Sequence, residues 1–119
     1  MQKDKLILLL HRFALTAKAH FQAMEDMDEE RANAHARMIA GLHRSIIDFG
    51  ERGREALLEL VDEKDLVVAG MAAVYSFRYD SERSLSTLKR VAREPGLLGF
   101  RARMAIELWE SGEWRGPEE

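Results

Sequence analysis

The fold is decided by residues 54–79, which read REALLELVDEKDLVVAGMAAVYSFRY. Leu57, Leu60 and Val61 lie at helical spacing, and a polar turn rich in Asp, Glu and Lys follows them. Beyond the turn, apolar residues recur at helical spacing to the end of the stretch. The stretch therefore predicts a hairpin of two helices, in which Asp65 caps the second helix.

The pattern of this hairpin is repeated in residues 81–112. The motif L-x-x-L-V of residues 57–61 matches L-x-x-V-A of residues 88–92, and V-x-x-x-A-A of residues 68–73 matches F-x-x-x-M-A of residues 100–105. Repeated helical hairpins are typical of a solenoid, in which each hairpin buries its apolar face against its neighbours. Two hairpins would expose too much apolar surface, so we expect the N-terminal segment to supply a third layer.

The N-terminal segment, residues 4–49, carries two longer amphipathic patterns. Apolar residues at steps of three and four predict one helix to about Met24 and a second helix after it. Because five acids in six residues form a short connection, we expect an antiparallel hairpin. Gly50 and Gly53 are predicted to break the chain before the next helix begins at Arg54.

The composition agrees with one helical domain. The chain has 119 residues, 46% hydrophobic and 33% charged, which excludes disorder, and it has no Cys, which excludes disulfides and thiolate chemistry. We predict an all-α fold, an α–α superhelix of about six helices in three antiparallel hairpins. A single domain is expected over residues 1–119, with a long hairpin at 4–49, repeat hairpins at 54–79 and 81–112, and a tail at 113–119.

These repeats resemble those of HEAT-like proteins. HEAT units share a turn Asp and a Val-Arg pair at the start of the second helix; Phe100-Arg101 fits this pair, whereas Val68-Ala69 lacks the Arg. Over residues 6–116 the chain is also similar to a family of small bacterial HEAT-like proteins. The features that carry this likeness are an Ala-Asn pair, an Ala-rich last helix and a Trp/Gly tail, here compared with Ala32-Asn33, Arg103-Met104-Ala105, Leu108, Trp109 and Gly112.

The sequence offers no set of residues for catalysis or metal binding. Spacings of nine, fifteen and eight residues leave no two histidines one helical turn apart; they are His11, His20, His35 and His43. No Ser lies in a Gly-x-Ser-x-Gly turn, and no Gly-rich phosphate-binding loop occurs. We therefore predict no enzymatic activity, no cofactor and no metal site.

The acidic connection between the first two helices is the first candidate for contact with a protein partner. Its five acids would suit a basic partner, for which electrostatic complementarity mainly sets the association rate and specificity. The alternative interpretation is a pair of solvated helix ends. The candidate residues are Glu25, Asp26, Asp28, Glu29 and Glu30.

The second candidate surface combines Tyr75, Arg78, Tyr79 and Arg101. Tyr and Arg are common in binding hot spots, and the second helices of a HEAT-like stack line its concave side. Tyr75 and Tyr79, four residues apart, are expected on one helix. The alternative for Tyr75 is packing in the core.

Residues 78–103 form a basic stripe with seven bases against three acids. The stripe lacks the interleaved aromatic residues that stack on bases, which disfavours nucleic acid as the partner. We interpret five other aromatic residues as core packing: Phe13, Phe21, Phe49, Phe100 and Trp109.

The apolar runs that would indicate a targeting signal are short in this sequence. The apolar run at residues 6–10 is shorter than the core of a signal peptide, and no stretch is long enough to span a membrane. We expect a cytoplasmic protein with no membrane partner and leave its oligomeric state open.

The likeness to immunity proteins implies a module that neutralises a bacterial toxin domain by forming a tight complex. The alternatives are a general scaffold or adaptor and, less favoured, a nucleic-acid binder.

Overall fold

The computed structural model describes residues 2–117, with side chains from Lys3 onward. Six α-helices and one 3-10 segment make up this range, and it contains no strand. The all-α prediction with six helices is confirmed. The elements are α1 Gln2–Glu25, α2 Glu29–Ile47, α3 Glu51–Glu59, the 3-10 segment Leu60–Asp62, α4 Leu66–Ser76, α5 Ser81–Val91 and α6 Gly96–Glu110. The last two residues of the predicted tail lie outside the described residues.

The chain divides into two compact units, Met1–Leu57 and Leu58–Glu119. In the first unit, α1 and α2 pack along their lengths as the predicted hairpin. Phe13, Ile39 and Ile46 are almost fully buried between them. The apolar stripe at steps of three and four is thus the buried side of α1, because those steps keep side chains on one side of a helix.

The corner between α2 and α3 corrects one expectation about glycine. Gly50 has a φ of +73° and lies in the turn between α2 and α3, where a break was predicted. Gly53, however, lies inside α3 and does not break the chain. A β-carbon at Gly53 would lie 1.9 Å from the carbonyl oxygen of Ile46. Gly53 is therefore needed for close approach of α3 to the end of α2.

In the second unit, α4 packs against α5 and against the 3-10 segment, while α6 packs mainly against α5. Asp65 caps α4 by accepting hydrogen bonds from the N–H groups of Val67 and Val68, as predicted. Asp80 caps α5 in the same manner, accepting from the N–H of Arg83.

The aromatic residues Phe77, Trp109 and Trp114 form a cluster in this unit. The ring of Phe77 lies 4.5 Å from that of Trp109 and 5.3 Å from that of Trp114, centre to centre. Phe77 is only 2% exposed. The N–H of Trp114 donates to the carbonyl of Leu108, so the start of the tail folds back over the end of α6.

The two predicted repeats share their pattern of buried residues in the first helix of each hairpin but not in the second. Leu57 and Leu88 are both buried. Val68 is buried, but its predicted counterpart Phe100 is 53% exposed, and Met104 is 42% exposed. The prediction of Phe100 as core packing is therefore wrong. Because α6 begins at Gly96, its buried side is set by other residues, including Ala102.

Candidate partner-binding surface

The acidic connection is a tight helix-to-helix turn built almost entirely from backbone hydrogen bonds. The N–H of Met27 donates to the carbonyl of Met24, and the N–H of Asp28 donates to the carbonyl of Ala23. This pair of bonds is the Schellman arrangement that closes a helix C-terminus. Asp28 then caps α2, because its carboxylate accepts from the N–H of Arg31. The backbone conformation of the turn is therefore fixed by hydrogen bonds.

Two of the five predicted acids have partners within the turn. Asp26 accepts a hydrogen bond from the Gln22 side chain at 3.0 Å. Asp26 and Asp28 also each lie 3.6 Å from the guanidinium of Arg31. All of these side chains are largely exposed, so each ion pair contributes little to stability.

The other three acids, Glu25, Glu29 and Glu30, are exposed and form no ion pair within residues 2–117. Arg31 is thus the base that partly neutralises a turn of five carboxylates. The structure brings all five predicted acids together at one end of the hairpin. We call this surface, with five carboxylates and Arg31 beside it, the acidic turn (residues 25–30).

Met27 lies at the centre of the acidic turn and was not singled out by the sequence analysis. Its side chain is 90% exposed. Its φ is +56°, the left-handed conformation that Gly adopts most easily. A non-glycine residue in this conformation costs about 1–2 kcal/mol. The sequence signal that could have identified Met27 is a single Met among five acids, directly after an amphipathic helix.

The second predicted surface has a different geometry from the expected one. Tyr75 lies on α4, but α4 ends at Ser76, so the prediction that Tyr79 shares this helix is wrong. The N–H of Tyr79 instead donates to the carbonyl of Ser76 in the turn that follows. The sequence Ser-Phe-Arg-Tyr-Asp carries no Gly or Pro, which is why its pattern did not indicate the helix end.

The four residues of this second surface differ in their environments. Arg78 and Arg101 are exposed, whereas Tyr75 and Tyr79 are half-buried. Burial raises the pKa of the Tyr75 phenol above its usual value. Arg101 lies on α6, which packs mainly against α5, while the other three residues lie at the end of α4 and in the turn after it.

Part of the basic stripe serves to hold the second unit together. Arg90 and Thr87 both donate to the carbonyl of Val61, at 3.0 and 3.3 Å. Arg103 donates to the carbonyl of Ala92 at 2.8 Å, and Arg83 forms an ion pair with Asp62 at 2.6 Å. Three of the seven bases are therefore engaged in contacts with neighbouring segments.

The histidines do not converge. Within the described residues, no group of three His, Asp or Glu side chains is placed to hold a metal ion. His43 is 2% exposed in the core of the first hairpin. Within residues 2–117, no helix combines the length and the apolar character needed to span a bilayer.

Comparison with known proteins gives a structural match. No protein-family model matches the chain, and no curated protein matches it. The chain is similar in structure to the protein RPA1889 from Rhodopseudomonas palustris CGA009, solved by crystallography, with a TM-score of 0.82 and 18% sequence identity. The match covers 95% of this chain and 93% of the other one. Similarity at this level of identity establishes a shared fold and says nothing about function.

Proposed function

We propose that this chain is a protein-binding module in which the acidic turn contacts a basic partner. The observation that carries the proposal is the 90% exposed Met27, held in a left-handed conformation among five carboxylates. Strained residues persist where the surrounding structure enforces them, and they cluster at functional sites. An exposed apolar side chain inside a charged ring also matches the composition of a binding interface, with an apolar anchor and a polar rim.

Each part of the acidic turn has a distinct role in this proposal. The unpaired carboxylates Glu25, Glu29 and Glu30 attract a basic surface and raise the association rate. Met27 enters an apolar pocket of the partner, where its flexible thioether adapts to the pocket's shape. Asp28 acts indirectly, because its carboxylate caps α2 by accepting from the N–H of Arg31 and so helps to fix the conformation of the turn.

The specific form we propose is a HEAT-like immunity protein that neutralises a toxin domain. A toxin that acts on nucleic acid carries a basic substrate-binding surface, and an acidic inhibitor can cover such a surface. Tyr75, Arg78, Tyr79 and Arg101 remain a second candidate contact. A general scaffold or adaptor would use the same surfaces for several partners.

The test begins with affinity purification of the tagged full-length chain from its own cells, followed by mass spectrometry. The same experiment is done with Met27→Gly and with the triple variant E25Q/E29Q/E30Q. E55Q/E59Q is the matched control, because it removes two exposed acids from α3 without touching the turn. We expect one stoichiometric partner with a basic domain, lost with the triple variant and retained with the control.

The immunity hypothesis is tested by expressing the captured partner alone and with this chain. Growth arrest by the partner, relieved by the wild-type chain and not by the triple variant, is the expected result. Toxicity that survives an excess of the wild-type chain would exclude an immunity role. Capture of several partners would favour an adaptor, and equal capture by all variants would exclude the acidic turn. Retention on DNA or RNA at low salt would point to the nucleic-acid alternative.

A further inference from the structure

The outer side of α1 carries an apolar stripe that stays exposed among the described residues 2–117. Ile7, Leu8 and Leu15 are 56%, 47% and 53% exposed. Steps of seven and eight residues place them on one side of a helix with 3.6 residues per turn. The opposite side of α1 buries Leu6 and Phe13. The stripe is therefore not part of the buried interface of the hairpin.

Exposed bases accompany this stripe. Helix α1 contains four bases and two acids, and one of the acids, Glu25, lies at its far end in the acidic turn; residues 3–24 therefore carry a net charge of +3. All five charged side chains of residues 3–24 are exposed: Lys3, Asp4, Lys5, Arg12 and Lys18. An open groove along α1 is lined by two bases, two apolar side chains, one serine and one acid: Lys5, Arg52, Leu9, Phe49, Ser45 and Asp48. Aliphatic side chains and bases thus share one surface over more than three helical turns.

We propose that α1 is a membrane-surface helix, which lies on an anionic lipid bilayer with its aliphatic stripe inserted among the headgroups. An interfacial helix binds through buried apolar area together with attraction of Lys and Arg to anionic lipids. Long basic side chains flanking such a stripe reach up to the headgroups while their methylene stems stay in contact with apolar surface. This arrangement needs no spanning segment.

The charge and chemistry of the surface favour a lipid bilayer over the other occupants. A second copy would bring two positive surfaces together, which is unfavourable. Nucleic acid would be attracted by the bases, but single-stranded nucleic acid is held by aromatic residues that stack on its bases. Ile7, Leu8 and Leu15 are aliphatic and cannot stack in this way. Acyl chains and anionic headgroups match both features at once.

The test is co-sedimentation of the full-length chain with vesicles of phosphatidylcholine containing phosphatidylserine, at low and at high salt. We expect binding at low salt that weakens at high salt, and none to phosphatidylcholine alone. The triple variant I7Q/L8Q/L15Q should lose about tenfold or more of the affinity. K5Q/R12Q should lose about 30-fold, equivalent to roughly 1 kcal/mol for each base.

The matched control is F100Q/M104Q, which removes two exposed apolar side chains from α6 and should bind vesicles like the wild type. Far-ultraviolet circular dichroism checks that every variant is folded. Absence of binding to anionic vesicles at low salt would overturn the proposal, as would equal binding by I7Q/L8Q/L15Q. It would also be overturned by a solution dimer that this variant converts to a monomer, or by binding of nucleic acid that K5Q/R12Q abolishes while vesicles stay unbound.

Discussion

Helices α1 and α6 end in the same backbone arrangement but place different residues at its centre. In α6, the N–H of Gly112 donates to the carbonyl of Trp109 and the N–H of Glu113 to that of Leu108. The acidic turn has the equivalent two bonds, with Met27 in place of Gly112. Gly112 has a φ of +80°, close to the +56° of Met27. The end of α6 has the residue that the backbone prefers, whereas the acidic turn keeps an exposed side chain despite a conformational cost.

The two units also differ in how their helix ends are satisfied. The first unit concentrates its residues in helices of 24 and 19 residues, so few backbone groups lie at helix ends. The second unit has α4 and α5 of 11 residues each and more ends per residue. Some bases of this unit donate hydrogen bonds to carbonyls at the ends of its helical segments. Arg90, for example, donates to the carbonyl of Val61. Among the acids that form no ion pair within residues 2–117, Glu29 and Glu30 lie in the first turn of α2, where the helix dipole favours acids, whereas Glu25 lies at the end of α1, where it does not.

The largest expected effect tests a close approach of a glycine to a backbone carbonyl, which occurs separately within each unit. A β-carbon at Gly53 would lie 1.9 Å from the carbonyl of Ile46, and one at Gly99 would lie 1.8 Å from that of Glu94. Because backbone must move in both cases, Gly53→Ala and Gly99→Ala should each lower the free energy of unfolding by about 3 kcal/mol. Urea denaturation followed by circular dichroism measures both.

Gly41 is the control for these two variants, since a β-carbon there would meet nothing within 4 Å. Gly41→Ala should raise the free energy of unfolding by about 0.5–1 kcal/mol, because Ala favours the middle of a helix. Destabilisation by Gly41→Ala as large as that by Gly53→Ala would show that the close approach is not the cause.

The second prediction concerns the use of bases within the second unit. Arg90→Met removes one of the two donors to the carbonyl of Val61 and should cost about 1 kcal/mol, because Thr87 remains bound to it. Lys89→Met is the neighbouring control, expected within about 0.5 kcal/mol of the wild type. If thermal and urea denaturation found no difference between these variants, the basic stripe would not serve as a set of helix-end contacts.

The third prediction concerns the two equivalent helix ends: the side chain is removed at one and a side chain is added at the other. Met27→Gly should raise the free energy of unfolding by roughly 0.5–1 kcal/mol, because it relieves the left-handed strain. Gly112→Ala should lower it by about 1 kcal/mol for the opposite reason. Both are measured by urea denaturation. A destabilising Met27→Gly would mean that the Met side chain stabilises the turn, and the argument from strain to function would fail.

The smallest effect involves Tyr75, whose phenol has a raised pKa because of burial. In the Tyr79→Phe variant, Tyr75 is the remaining tyrosine, so ultraviolet absorbance reports its ionisation alone. We expect half-ionisation above about 10 in the folded chain and near 10 after unfolding. Stability from this group is fully present below about pH 10 and is lost as the pH rises through the raised pKa. Titration of Tyr75 at its ordinary pKa in the folded variant would contradict this.

The sequence by itself determined the helices and most of their ends. Spacing of apolar residues gave the buried side of α1, and Asp65 marked the start of α4, because caps and periodicity act between residues close together in the chain. The five acids were also visible in the sequence, since they are consecutive around one turn. Residues 77–79 were assigned to the wrong element, because the end of α4 carries no Gly or Pro signal.

Only the tertiary structure decided which apolar residues remain outside. Ile7, Leu15 and Phe100 have the same residue types as core positions, and their exposure depends on where neighbouring helices pack. The same holds for Gly53, whose role comes from its approach to the carbonyl of Ile46. The conformation of Met27 likewise follows from the geometry of two joined helices. Burial and strain are properties of packing between elements, which local sequence patterns do not specify.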